Sequence, residues 1–263
     1  MPLPAPAVLA ADLVLAHGHH VALGASSFAI PPGTSVALIG PNGSGKSTLL
    51  RAMAGLLPPR AGRLDVPARG APSAVALVLQ TTDVDRSLPI TVRETVTMAR
   101  YARRGPVRRL DDTDRAAVDG ALERLAIADL ARRQLHELSG GQRQRVLVAQ
   151  GLAQEADLLL LDEPVTALDV VSRRLILEAV AAEREARRTV VMSTHDLADA
   201  RQAELVMLLA NRLVACGPPD AVLTDRHLAA AYGGRVLVLA EGAVVIDDPH
   251  HHGPVPTAFR LGS

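Results

Sequence analysis

The stretch "GPNGSGKST", Gly40 to Thr48, decides how the rest of the chain is read. It fits the pattern G-x-x-x-x-G-K-[ST]. Upstream, "SVALIG" (Ser35 to Gly40) is a short apolar run ending in glycine, as a buried strand would end. Downstream, "KSTLLRAMAGLLPP" predicts a helix stopped by Gly55, Pro58 and Pro59. A strand, a glycine-rich turn and a helix form the setting this motif requires. Glycine lets backbone N–H groups turn inward around phosphate oxygens, and the helix N-terminus adds partial positive charge. Asn42, Gly43, Ser44, Gly45, Lys46, Ser47 and Thr48 are therefore the candidate phosphate-binding residues. In this pattern Lys46 reaches the β- and γ-phosphates, and Ser47 ligates Mg²⁺.

The layout around this stretch is that of a mostly parallel α/β sheet. "AVALVLQ" (Ala74 to Gln80), "DLLLLDEP" and "TVVMSTHD" predict further buried strands. A helix across Ser172–Arg187 separates the last two. "TVRE" matches a capping box, with Thr91 starting a helix that runs into Tyr101, and "RRGPVRRLDD" breaks it. "DRAAVDGALERLAIADL" places Val118, Ala121, Leu122 and Leu125 on one helix face, and "GGQRQRVLVAQGLAQ" predicts another helix. The segment from about 82 to 153 thus reads as a helix-rich lobe inserted into the sheet. A small helix is expected near Arg226–Ala231, and "GAVVID" late in the chain is a strand candidate. No internal repeat is visible.

"LLLLDEP" sets Asp162 and Glu163 at the end of a buried strand, where ligands bind in open α/β sheets. Asp162 is placed to hold Mg²⁺ through its water shell, and Glu163 to polarise an attacking water. "LSGGQRQRV" (Leu138 to Val146) supplies a second anion-binding element. Ser139 caps a helix whose N-terminus Gly140 and Gly141 leave open to close approach.

Together these motifs resemble the ATP-binding cassette (ABC) family of ATPases. The resemblance covers about Leu9 to Ala240, and the remaining family motifs follow in order. Gln80 falls at the Q-loop, "ALD" (Ala167 to Asp169) at the D-loop, and His195 in "STHD" at the switch histidine. It implies a P-loop NTPase (RecA-like) core with an ABC-type antiparallel β region and an inserted helical subdomain. Residues 1–240 would be a single ATPase domain and 241–263 a C-terminal tail. The resemblance further implies a head-to-tail homodimer with two composite ATP sites. ATP held by the phosphate loop of one subunit would be closed over by Ser139, Gly140, Gly141 and Gln142 of the other. Glu163 would be the general base, His195 would contact the γ-phosphate, Asp169 would link the two sites, and Gln80 would contact Mg²⁺ or water. Where the family commonly stacks adenine on an aromatic residue, "LVLAHGHHVAL" has none, and His17 takes that place in the pattern.

Within the family, "VALVLQTTDVDRSLPITVRETVTMARYARRG" (Val75 to Gly105) resembles the ATPases of zinc and manganese importers, as does "YGG" (Tyr232 to Gly234). Leu79 before Gln80 and Leu88 before Pro89 depart from that subgroup's pattern. The implied partners are an integral membrane permease and, indirectly, an extracytoplasmic metal-binding protein. The implied location is the cytoplasmic face of the membrane, as a peripheral subunit. Asp83, Asp85, Arg86, Leu88, Pro89 and Ile90 are the candidate permease contacts. An ATPase for another substrate, such as an iron–siderophore complex or haem, is the alternative.

Composition narrows the classes. The 28 basic and 28 acidic residues balance, which gives no global attraction to nucleic acid or anionic lipid. Neither a second cassette nor a long coiled-coil insertion is present, against a ribosome- or DNA-acting ABC protein. Cys216 is the single cysteine, so no intrachain disulfide forms and a reducing compartment fits. "MPLPAPAVLAADL" has no cationic stretch before an apolar core, so no secretory signal is expected. No apolar run nears the ~18 residues that span a bilayer. "IDDPHHHGP" carries His250, His251 and His252, read either as a solvated tail or as a zinc-buffering site; neighbouring side chains diverge, so three adjacent histidines do not readily share one ion.

Overall fold

Four consecutive leucines, Leu158–Leu161, form a strand buried on both faces. Leu158 and Leu160 join one core, and Leu159 and Leu161 join another. That alternation divides the molecule into two layers packed on one sheet. The computed structural model describes residues 5–71, 74–80, 89–105, 109–233, 236–238 and 244–246.

Along the chain run β1 (Val8–His17), β2 (His20–Ile30), β3 (Ser35–Ile39), α1 (Lys46–Met53), β4 (Ala61–Asp65) and β5 (Val75–Val78). Then come α2 (Val92–Arg104), α3 (Asp112–Arg124), α4 (Gly140–Ala153), β6 (Leu158–Leu161), α5 (Val170–Glu185), β7 (Thr189–Ser193) and α6 (Leu197–Ala200). Last are β8 (Leu205–Leu209), β9 (Leu213–Gly217), α7 (Pro219–Val222), α8 (Asp225–Tyr232), β10 (Val236–Val238) and β11 (Val244–Ile246). Among the described residues the larger sheet has six strands in the order β5-β6-β7-β3-β8-β9. All its pairings are parallel except β8 with β9. A separate antiparallel sheet, β2-β1-β4, packs with α1 on the face that carries Leu158 and Leu160. β10 and β11 pair antiparallel, so Val244–Ile246 of the strand candidate "GAVVID" form a strand, inside the stretch expected to be a tail.

The helices α2, α3 and α4 lie between β5 and β6 in sequence. Their apolar faces share the core of Leu159 and Leu161. Val118, Ala121, Leu122 and Leu125 are all buried in it, as their spacing predicts. The capping box at Thr91 forms with Glu94, and a second one forms at Asp111 with Asp114. That second box starts α3 at Asp112, ahead of the predicted start. The chain turns at Ala126 with φ +50, and Ala128–Leu130 is a separate 3₁₀ turn rather than more helix.

This lobe is fastened by buried charge. The Arg100 guanidinium, almost wholly buried, donates to Asp114 Oδ1 at 2.9 Å, to the Ala153 carbonyl at 2.8 Å and to Glu155 Oε2 at 2.8 Å. Arg104 reaches the other Asp114 oxygen at 2.6 Å. Burial pushes the Asp114 carboxyl up. The hydrogen bonds from Arg100, the Asp111 N–H and Arg104 outweigh it and hold the group down at about 2. Nothing local in the sequence marked this cluster. Its members come from the end of α2, the start of α3 and the end of α4.

Candidate active site

The strand β3 ends at the phosphate loop, and the loop ends at α1. Gly45 caps α1 with φ +99, and no side chain caps that helix end. A Cβ at Gly45 would sit 2.7 Å from the Ala22 carbonyl oxygen, so only glycine fits between the loop and β2. Lys46 is buried, with Nζ donating to the Gly40 and Pro41 carbonyls at 2.7 and 3.1 Å. Its ammonium therefore lies across the mouth of the loop. The Ser44 hydroxyl is buried and has no hydrogen-bond partner. An anion-facing loop is where such an orphan belongs, since it costs stability unless a ligand oxygen answers it. Ser47 is half-buried, and Thr48 is buried on the first turn. Exposed His17, at the end of β1, bonds through Nε2 to Thr48 Oγ1 at 3.2 Å, which brings its ring to the edge of the loop. The half-buried Tyr232 phenol is pushed up to about 12 by its burial, opposed by the hydrogen bond it takes from the Gly40 N–H.

At the ends of β6 and β7 the acidic pair meets its partners. Buried Ser193 donates through Oγ to Asp162 Oδ1 at 2.8 Å and accepts the Glu163 N–H at 2.8 Å. Glu163 sits at φ +47, a left-handed conformation that turns its side chain out of the strand line. One carboxylate oxygen takes the Gln80 amide at 2.9 Å and the Thr166 hydroxyl at 3.3 Å, and the other bonds His195 Nε2. Burial pushes this carboxyl up. The His195 hydrogen bond and charge, the Lys46 charge and the Thr166 bond together hold it below the usual carboxylate range. Gln80, Glu163 and His195, drawn from three separate sequence motifs, are thus in direct contact. Gln80 donates to Glu163 through its amide nitrogen, so its amide oxygen takes no part in that bond.

The second element expected to meet an anion is built differently. Ser139 caps α4 by accepting the Gln142 N–H at 3.2 Å, while Gln142 Oε1 accepts the Ser139 N–H at 3.0 Å. Asp169 caps α5 through the Ser172 N–H at 2.9 Å and also takes the Ser172 hydroxyl at 2.7 Å. Those bonds lower its carboxyl below the usual range. The two helix ends nearly touch, since a Cβ on Gly141 would lie 3.0 Å from Asp169 Oδ2. Gly140 opens onto free space.

Sequence reasoning missed four participants. Ser193 and Thr166 orient the acidic pair. Arg173, on α5, donates to Asp196 at 2.5 Å and to Asp199 at 2.6 Å, which ties the Asp169 helix to the segment after His195. Asn211, in the β8–β9 turn, bonds the phosphate loop. Ser193 is the first residue of "STHD" and Thr166 directly precedes "ALD", so both sit at recognisable motifs, whereas Arg173 and Asn211 carry no local signal. Asp83, Asp85, Arg86, Leu88 and Gly234, along with His250, His251 and His252, lie outside the described residues. Among the described residues no cluster of His, Cys, Asp or Glu has the geometry to hold a metal ion, and no helix is long and apolar enough to cross a membrane.

The family described as ABC transporter matches residues 23–166. The manganese transport system ATP-binding protein MntB of Bacillus subtilis is 36% identical, over 82% of this chain and 90% of its own length. The zinc transport system ATP-binding protein TroB of Treponema pallidum is 37% identical, over 88% of each. A chelated iron transport system protein, YfeB of Yersinia pestis, is 37% identical, over 87% of this chain and 80% of its own length. The fold matches a solved metal-chelate type ABC transporter in an inward-facing conformation. That match has a TM-score of 0.75 at 27% identity and covers 87% of this chain and 89% of the other.

Proposed function

Since the chain belongs to the ABC transporter family of ATP-hydrolysing transport ATPases, we propose that it hydrolyses ATP as a head-to-tail dimer to drive a membrane permease importing a divalent metal ion, zinc or manganese. The observation that carries the catalytic part is the Glu163 carboxylate, kept ionised and held between Gln80 and His195. An ionised carboxylate at the end of a buried strand, beside the phosphate loop's lysine, is placed to take a proton from water. His195 fixes one oxygen, and Gln80 with Thr166 fixes the other. Asp162 is fixed by Ser193. Ser47, Asp162 and the Gln80 amide oxygen form an all-oxygen donor set, which suits a hard cation such as Mg²⁺. Bound Mg²⁺ would neutralise charge building on the phosphates. Asn42, Gly43, Ser44, Gly45, Lys46 and Thr48 would hold the phosphates, and His17 would lie against the adenine.

Support for the dimer comes from the face around Asp169. Val170 and Val171, which follow it, are 83% and 57% exposed, so two apolar side chains stand in water beside the Ser139 helix end. Burial against a second copy would remove them from water and bring Ser139, Gly140, Gly141 and Gln142 to that copy's nucleotide. Support for the permease comes from a groove of about 420 Å³ lined by Leu79, Met98, Ala102 and Leu147. Leu79 and Met98 are exposed in it, next to Gln80. A permease helix seated there at the cytoplasmic face would report to Gln80 and so to Glu163. An extracytoplasmic binding protein would deliver the ion from the far side; no nucleic acid takes part.

The relatives named for manganese, zinc and chelated iron are equally similar to this chain. The chelated-iron relative therefore favours an iron complex as a second reading of the cargo. The test is ATP hydrolysis by the chain assembled with its permease and binding protein in vesicles. Zinc or manganese is expected to stimulate hydrolysis. Stimulation by an iron chelate alone would overturn the metal assignment, and failure to hydrolyse ATP at all would overturn the catalytic one.

A further inference from the structure

Asn211 sits at the tip of the β8–β9 turn, 167 residues after Ser44, and yet it touches the phosphate loop twice. Its N–H donates to the Ser44 carbonyl at 3.1 Å, and its side-chain amide donates to the Gly43 carbonyl at 3.0 Å. Its own carbonyl accepts the Gly24 N–H from β2 at 2.6 Å. The residue therefore joins the antiparallel sheet, the main sheet and the phosphate loop at one point. Its φ of +54 is the left-handed region, which asparagine and glycine tolerate and other side chains resist.

The consequence follows from peptide geometry. A trans peptide points its C=O and its N–H in opposite directions. Pinning the Ser44 carbonyl to the turn aims the Gly45 N–H away from the turn. Pinning the Gly43 carbonyl fixes the preceding peptide plane, whose Ser44 N–H closes the loop's own turn on the Pro41 carbonyl at 3.1 Å. A loop that cradles phosphate works only when its N–H groups are already aimed, because re-aiming them on binding costs affinity. We infer that Asn211 is a positioning residue for the nucleotide, holding the phosphate loop in its binding shape from behind without touching the ligand. Glycine at this position would keep the backbone conformation and both backbone bonds and lose only the side-chain bond. Aspartate would keep the shape but set an acceptor, carrying negative charge, against the Gly43 carbonyl.

This inference rests on the reading of Gly40–Thr48 as the phosphate site, so the experiment includes Lys46→Ala. ATP and ADP affinities are measured by calorimetry for the parent, Asn211→Gly, Asn211→Asp and Lys46→Ala. Steady-state hydrolysis and the unfolding midpoint without nucleotide are measured on the same proteins. Asn211→Gly is expected to weaken nucleotide binding about three- to tenfold, the reach of one hydrogen bond. KM for ATP should rise with it while kcat and the nucleotide-free midpoint hold. Asn211→Asp should weaken binding further, and it decides the matter alone if the glycine variant does not fold. Unchanged affinity in both Asn211 variants, with binding lost in Lys46→Ala, overturns the inference and spares the site. A loss of kcat without a rise in KM, or a midpoint that falls as affinity falls, also overturns it in favour of a purely structural role. Full binding by Lys46→Ala overturns the reading of the site itself.

Discussion

Two helix N-termini in this molecule are candidates to meet phosphate, and they are finished in opposite ways. The α1 end has glycine as its cap and no side chain on its N–H groups. The α4 end is closed on itself, with Ser139 and Gln142 satisfying each other. An open end is complete within one chain and ready for an anion. A capped end gives up less by waiting, because the Gln142 N–H already has a partner until something better competes. The contrast fits a division of labour. In the proposed dimer the first end would bind nucleotide in the single subunit, and the second would act only when another copy presented the nucleotide to it. Their surroundings match. The α1 end is braced by the close approach of β2 and by the Asn211 N–H and side-chain amide of the β8–β9 turn. The α4 end rides on a lobe held by the Arg100–Asp114 charge cluster.

The largest effect is expected at the centre between them. Glu163→Gln should lower hydrolysis by about 10²- to 10⁴-fold, the reach of a general base, and leave nucleotide binding at the α1 end intact. Rate and affinity measured on the same protein check this, and a parallel loss of both would merge two functions that the comparison separates. Asp114→Asn should act on the other end only. It leaves the buried Arg100 with Glu155 as its carboxylate partner, at about 1–3 kcal/mol of stability. Denaturant melts should show the loss, and ADP affinity should hold. The pH dependence has a definite sign. Because the folded carboxyl lies at about 2, below its ordinary 3.8, its contribution is present in full above the ordinary value. The parent's advantage over Asp114→Asn should shrink as the pH falls through that interval.

How much of this was legible in the sequence differs between the two ends as well. The α1 end is local: nine consecutive residues hold the loop, and the flanking strand and helix announce themselves. The Thr91–Glu94 box and the buried face of Val118, Ala121, Leu122 and Leu125 were legible for the same reason, that a helix repeats within a few residues. The β2-β1-β4 sheet left no pattern of its own and was expected only through family resemblance. Bulges between Ala10 and Leu13 and between Leu13 and Leu15 break the two-residue alternation that marks a strand. Asn211, Arg173 and the Arg100–Asp114 pair went unread because each depends on partners that only the fold brings together. A polar residue in a turn looks the same in sequence whether it faces water or a phosphate loop.

The central claim is that one catalytic site needs the α1 end of one chain and the α4 end of another. Mixing Lys46→Ala chains with Ser139→Ala chains tests it most directly, because each variant spoils a different end. Measured by ATP hydrolysis, the mixture should exceed the sum of the two variants alone, since a mixed dimer retains one intact site. A mixture no faster than that sum would contradict the shared site and confine catalysis to a single chain.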